Sequence, residues 1–144
     1  MSQQSPTASR RQAYPDDRSW AVENSRIVLL ASRCESCERV LFPARETCDR
    51  CWAEMPAERL PLAGQGVLYS FSEVHIAPKD FEVPYLVGYV DFPNDVRVFA
   101  QLRGDPQSFE IDDSVVPDID VIRVQPDGTE VESYVFRPAS EVSR

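Results

Sequence analysis

The sequence has little of what binding to a membrane or to nucleic acid requires. Its longest apolar run, Ile27 to Ala31, is far shorter than the roughly 20 residues of a membrane-spanning helix. The segment from Met1 to Arg11 is polar and lacks the apolar stretch of a signal peptide, so we expect a cytoplasmic protein without a membrane partner. Lysine occurs once, at Lys79, and the formal net charge of −9 opposes binding to a phosphate backbone. We therefore expect no nucleic-acid partner.

Groups for independent catalysis are also scarce. His75 is the single histidine, and nothing in the sequence joins it to a nucleophile and a carboxylate in a catalytic arrangement. We therefore expect no enzyme activity from this chain alone. Its 144 residues, of which 42% are apolar, suffice for one ordinary domain or two very small ones, and this composition excludes wholesale disorder.

Four cysteines are the most informative residues present. They form two pairs, Cys34-x-x-Cys37 and Cys48-x-x-Cys51, with ten residues between the pairs. Disulfides are disfavoured in a reducing compartment, and two such pairs are typical of a tetrahedral four-thiolate metal site. Because a closed site of this kind leaves no coordination position for substrate, we predict a structural zinc ion. The same ligands also hold a single iron in rubredoxin-type sites, and their spacing does not separate the two metals.

The chain divides into four predicted parts: a disordered tail over 1–14, a short helix and zinc ribbon over 15–62, a barrel over 63–138, and a tail over 139–144. The helix is expected near 16–23, where Asp16 and Asp17 would favour its N-terminus. The ribbon is too small to have much of a core, so metal binding should supply most of its folding free energy.

The barrel is predicted from patterns of period two after Gly66. Alternation places Val67, Tyr69 and Phe71 on one face of a first strand. Four further strands are expected near residues 85–92, 96–103, 118–124 and 129–136, with turn signals at 93–95 and 125–128. Five strands with a break after the third favour a mainly β, five-stranded OB-fold barrel, and a small sandwich is the alternative.

These motifs, taken in order, resemble a bacterial and archaeal zinc-ribbon/OB-fold family of acyl-CoA-associated proteins. The matching residues are Arg33-Cys34-x-x-Cys37, Phe42-Pro43-x-Arg45, Cys48-x-x-Cys51, Gly64-x-Gly66-x-Leu68-Tyr69-Ser70-Phe71 and Val74-His75. Two positions depart from the family pattern. Glu38 stands where a glycine commonly follows the second cysteine, and Asp49 stands where a proline commonly follows the third.

The resemblance implies a fold and a partnership. It implies a short N-terminal helix, a rubredoxin-like zinc ribbon and an OB barrel, serving as a non-catalytic subunit of a thiolase-like enzyme. Such hetero-oligomers act on acyl-CoA thioesters, for example in the degradation of aromatic or steroid side chains. In them the thiolase-like partner carries the nucleophile and the acid–base groups.

Candidate contact residues follow from this resemblance and from side-chain chemistry. Arg45, within the matched Phe-Pro-x-Arg motif, is the candidate for a CoA phosphate, because guanidinium groups recognise phosphate well. Phe42 and Trp52 are candidates for an apolar wall against CoA, with packing inside the ribbon as the alternative. Trp20 is a candidate anchor for the partner subunit, with packing on its own barrel as the alternative.

Two other functions are compatible with the motifs. OB barrels and zinc ribbons also bind nucleic acid, although the negative charge argues against it. A four-thiolate site holding iron would instead make the chain a rubredoxin-like electron carrier.

Overall fold

The computed structural model describes residues 11–14 and 19–141. These residues form ten strands. The strands are β1 Arg11–Ala13, β2 Trp20–Glu23, β3 Arg26–Arg33, β4 Val40–Leu41, β5 Leu60–Pro61, β6 Gly66–Val74, β7 Tyr85–Phe92, β8 Val96–Leu102, β9 Ser114–Val124 and β10 Glu130–Pro138.

Strands β6 to β10 close into a barrel. β6, β7 and β8 form an antiparallel meander, β8 pairs in parallel with β10, β10 pairs with β9, and β9 returns to β6 at Val115 and Ser114. This order is that of a five-stranded Greek-key OB barrel. The predicted OB-fold is therefore confirmed, and closure of the sheet excludes the sandwich.

The barrel core follows from inward positions on every strand. Leu68, Val90, Val98, Val115 and Phe136 lie at these positions, and each is at most 1% exposed. Burial of such large aliphatic and aromatic side chains is the main favourable term in folding.

The predicted alternation fails at one point in β6. The register shifts between Leu68 and Ser70, so that Tyr69 remains half exposed while Phe71 packs against the core. A bulge inserts one residue into a strand and thereby reverses which face the following side chains occupy. Tyr69 and Phe71 therefore do not share a face.

The ribbon packs directly on the barrel. β3 pairs with β2, β4 and β5, and its residues Leu29 and Ala31 join the same buried cluster as the barrel side chains. Phe42 packs edge to face against Tyr134 of β10, with ring centroids 5.4 Å apart. The two parts therefore share one core.

The predicted N-terminal helix is wrong where the structure describes it. Trp20–Glu23 form strand β2, while Asp16 and Asp17 lie outside the described residues. Asn24 and Ser25 both have positive φ, 52° and 64°. This geometry is that of a type I′ turn, which folds a chain back as a hairpin. Pairing of β2 with β3 thus overrides the weak helical signal.

The described ends of the chain are more ordered than the predicted tails. Arg11–Ala13 pair in parallel with β10, and the Arg11 guanidinium forms ion pairs with Glu130 and Glu132. At the other end, Ala139–Glu141 form a short 3-10 helix. A second 3-10 helix, Pro106–Ser108, lies between β8 and β9. Within the described part of the chain, we find no helix with the length and apolar character needed to cross a bilayer.

Candidate metal centre

Two loops of the same construction carry the cysteines. In the first, the Glu38 N–H donates to the Cys34 carbonyl at 2.9 Å, and the Cys34 N–H donates to Arg39. In the second, the Trp52 N–H donates to the Cys48 carbonyl at 3.1 Å, and the Cys48 N–H donates to Ala53. The CxxC spacing therefore produces two equivalent knuckles.

Each knuckle closes through a residue in the left-handed region of backbone space. Glu38 has a φ of 69° and Trp52, at the equivalent position, a φ of 68°. Non-glycine residues occupy this region at a cost of about 1–2 kcal/mol because Cβ approaches the following carbonyl oxygen. This positive φ explains why the family commonly has glycine at the position of Glu38. In this chain the turn forms with glutamate instead, at the cost of backbone strain.

Glycine at position 38 should therefore stabilise the ribbon. We expect Glu38→Gly to raise the free energy of unfolding by about 1 kcal/mol, because glycine adopts positive φ without strain. The substitution also removes an exposed ion pair with Arg33 at 3.8 Å, which contributes little. Denaturant unfolding of the metal-loaded protein measures the change, and Glu35→Gly in the same loop is the control that should not stabilise.

The four sulfur atoms meet at one point. All four Sγ atoms lie within 4.8 Å of one another, and the Cys34–Cys51 and Cys37–Cys48 Sγ distances are both 3.6 Å. Four sulfurs at about 2.3 Å from a tetrahedral zinc ion would be separated by about 3.8 Å. The donor set is therefore close to the arrangement that a tetrahedral ion needs.

Backbone amides favour the thiolate forms that metal binding needs. Hydrogen bonds from the N–H groups of Cys51 and Arg50 lower the pKa of Cys48 to about 6. A hydrogen bond from the Cys37 N–H lowers the pKa of Cys34. Although the Ala53 N–H lowers it, hydrogen bonding with the Cys34 side chain and burial raise the pKa of Cys51 to about 11. Since metals bind thiolates rather than thiols, the amides at Cys34 and Cys48 assist binding, and the ion must displace a proton from Cys51.

The surroundings of the sulfurs indicate a structural site. Cys34 and Cys48 are fully buried, and they pack with Met55 beneath the knuckles. Four thiolates would complete a tetrahedral shell, so an ion held here would stabilise the fold and leave no position for substrate.

Ser32 is a structural residue of the ribbon that sequence patterns did not reveal. Its hydroxyl accepts from the Arg45 N–H at 2.7 Å and donates to the Arg45 carbonyl at 2.9 Å, and Ser32 is fully buried. A serine inside an apolar strand gives no local sign of a partner 13 residues away. The contact fixes the backbone from which the Arg45 side chain extends.

The arginines near the knuckles differ in whether a carboxylate neutralises them. Arg39 donates twice to Asp49, at 2.5 and 3.3 Å, and is neutralised by it. Among the described residues, neither Arg45 nor Arg50 forms a side-chain ion pair, and both are exposed. The guanidinium groups of Arg45 and Arg50 are thus exposed near the knuckles without an ion-pair partner, where an anion could reach them.

The aromatic candidates occupy different positions. Trp52 is 77% exposed, although its backbone is held in the second knuckle. Phe42 instead faces the barrel, where it contacts Tyr134. Trp20 is partly buried against the barrel core, and its Nε1 donates to the Tyr14 carbonyl at 3.2 Å. Trp52 is therefore the candidate ring with a free face.

A cleft at one end of the barrel has a volume of about 810 Å³, but its cations are largely compensated. Arg103 binds Asp120 at 2.9 Å, and Arg123 binds Asp80 at 3.0 Å. Lys79 is the remaining basic residue of the lining, which also contains further carboxylates. The cleft is therefore poorly suited to a polyphosphate.

His75 does not itself line the cleft, although its partner Glu73 does, and it is not among the residues that could hold the metal. Its Nε2 is 3.1 Å from a Glu73 carboxylate oxygen, and its side chain is 67% exposed. Among the described residues, no hydroxyl or thiol forms a hydrogen bond with it. This geometry is typical of a surface histidine.

A four-thiolate ribbon packed on an OB barrel defines a class of zinc-ribbon/OB-fold proteins. Two family models match the two parts of the fold. The ChsH2 rubredoxin-like zinc ribbon domain matches residues 25–55, and the ChsH2 C-terminal OB-fold domain matches residues 60–120. The match to a zinc ribbon favours zinc over iron.

Individual relatives cover most of the chain. The benzoylsuccinyl-CoA thiolase subunit BbsA of Thauera aromatica is 42% identical over 105 residues, which are 73% of this chain and 72% of BbsA. BbsA of Geobacter metallireducens is 37% identical over 105 residues, or 73% of this chain and 70% of that subunit. A chain of the solved Ltp2-ChsH2(DUF35) aldolase is 30% identical, with a TM-score of 0.58, covering 78% of this chain and 85% of that one. The protein belongs to this ChsH2-type DUF35 family.

Proposed function

We propose that the chain is an accessory subunit, without catalytic groups of its own, of a thiolase-superfamily enzyme acting on acyl-CoA thioesters. The enzyme would cleave or form carbon–carbon bonds, and the hetero-oligomeric partner would supply the nucleophile and acid–base groups. One observation carries the proposal: the 42% identity to a thiolase subunit extends over 73% of this chain. Four cysteines that form no disulfide also suit the reducing cytoplasm, where we place the protein.

We further propose that CoA contacts the ribbon rather than the barrel cleft. Arg45 and Arg50 are exposed cations that form no ion pair within the described residues, whereas the two arginines of the cleft are neutralised by carboxylates. Arginine suits the phosphates of CoA, and the exposed ring of Trp52 suits its adenine base or pantetheine arm. The Ser32 contact holds the Arg45 backbone in place before ligand binds.

Reconstitution tests the accessory role. Each thiolase-superfamily protein encoded in the source genome would be purified alone and together with this chain. We expect one of them to form a stable complex and to turn over acyl-CoA faster within it. Full activity of all such proteins without this chain, and no complex with it, would contradict the proposal.

Trp52→Gly tests the CoA contact without disturbing the knuckle. Because Trp52 has positive φ, glycine should preserve or improve the turn while removing the ring. We expect the KM of the complex for acyl-CoA to rise roughly tenfold, as the loss of one stacked base implies. Glu38→Gly, the same change at the equivalent position of the first knuckle, is the matched control and should leave KM unchanged. Equal KM values for both variants would exclude Trp52 from the CoA site.

A further inference from the structure

The outer wall of the barrel has three sectors, of which one is partly covered by the chain itself and another is charged. β10 is covered in part by β1, which pairs with Glu130 to Glu132, and by Phe42, which packs on Tyr134. β9 presents carboxylates instead. Its outward sector is an ion-pair network formed by Asp118, Asp120, Arg103 and Arg137.

The third sector, on β6, β7 and β8, exposes aromatic rings at outward positions. Tyr69, Tyr89 and Phe99 are 51%, 43% and 52% exposed. Tyr89 and Phe99 are paired across the strands, and their ring centroids are 5.0 Å apart. We call these three residues the aromatic platform. An antiparallel sheet with one face in water normally alternates apolar and polar residues, so exposed rings on three neighbouring strands indicate a contact surface.

The edge of the platform is polar but carries no uncompensated charge. The Arg97 guanidinium lies 3.6 Å from the centroid of the Tyr69 ring and donates to Asp91 at 2.6 Å. A nucleic-acid strand stacked on these rings would need free cations beside them, since phosphate neutralisation supplies most of its affinity. Within the described residues, this sector offers only Arg97, which Asp91 already neutralises.

We propose that the aromatic platform docks the catalytic subunit of the proposed complex, through an apolar and uncharged face of that subunit. Exposed tyrosine and phenylalanine beside an arginine have the composition of interface hot spots. A second copy of this chain fits less well, because each copy carries a net charge of −9. The inference rests on the proposed function, since it names where the partner of that function binds.

The test compares binding of the thiolase-like subunit to the wild-type chain and to Tyr89→Ser/Phe99→Ser. We expect the double variant to bind at least tenfold more weakly by calorimetry, with its zinc content and thermal midpoint preserved. The matched control is Val22→Ser/Val124→Ser, which removes two apolar side chains of similar exposure, 55% and 45%, outside the platform. This control should bind like the wild type, as should the conservative pair Tyr89→Phe/Phe99→Tyr.

The outcomes separate this inference from the proposed function. If the wild-type chain binds the subunit and the double serine variant binds equally well, the docking site is wrong while the accessory role stands. If the wild-type chain binds no thiolase-like subunit, the accessory role fails and the docking inference fails with it. Self-association by ultracentrifugation, or salt-sensitive binding of an oligonucleotide, that is lost in the double variant would assign the platform to another occupant and overturn the proposal.

Discussion

Replacing Cys48 by serine is expected to remove the metal and unfold the ribbon. Cys48 is fully buried, and its Sγ lies 3.6 Å from that of Cys37. Binding of a structural zinc ion contributes on the order of 10 kcal/mol, and the ribbon has only a small cluster around Met55 to replace it. Elemental analysis should find less than stoichiometric zinc, and amide spectra should lose the dispersed signals of residues 33–55.

The barrel should largely survive this loss, because its five strands pair with one another independently of the knuckles. Its stability should nevertheless fall, since Leu29 and Ala31 of β3 share its core. Thr47→Ser, next to the ligand, is the control and should keep full zinc occupancy. Retention of one zinc per chain with an unchanged melting temperature in Cys48→Ser would contradict the four-thiolate site.

Truncating Phe136 to alanine is expected to destabilise the barrel by about 3–5 kcal/mol. Phe136 is fully buried, and its ring centroid lies 6.0 Å from that of Phe92. The loss combines the transfer free energy of the ring with the cavity left where β8 and β10 pair in parallel. Chemical denaturation, followed by tyrosine fluorescence and circular dichroism, measures the change in unfolding free energy.

Phe99→Ala provides a control of the same chemistry on the outer wall. Phe99 is half exposed, and its ring centroid lies 5.0 Å from that of Tyr89. We expect this variant to lose less than about 1 kcal/mol of stability. Comparable losses for the two variants would mean that the platform supports the fold and would argue against an inward-packed Phe136.

The metal ribbon could be read directly from the sequence, because its geometry is local. Two thiolates separated by two residues reach one ion through a short turn, whatever the rest of the chain does. The number of barrel strands and their approximate positions along the chain also followed from period-two patterns and from turn signals such as Pro93-Asn94-Asp95. The helix near 16–23 was wrong at Trp20–Glu23 because its weak helical signal competed with pairing to β3.

Side-chain roles were harder to predict than elements. Trp20 and Trp52 have similar chemistry, yet one packs on the barrel core and the other is 77% exposed. Arg39 and Arg45 both lie between the two cysteine pairs, yet only Arg39 forms an ion pair with Asp49. Such differences depend on which segments of the chain come together in space. The types of the neighbouring residues in the sequence do not reveal this.

The sequence by itself determined that four sulfurs would converge and that five strands would follow them, since both depend on spacings of a few residues. Only the tertiary structure decided that Phe42 joins the ribbon to Tyr134, 92 positions further along, and that Arg11 pairs with Glu132 across 121 positions. It also decided, through a single bulge after Leu68, that Tyr69 points away from the core and Phe71 toward it. The physical reason is the same in each case: closing a barrel sets which distant residues meet, and one inserted residue reverses the faces of a strand.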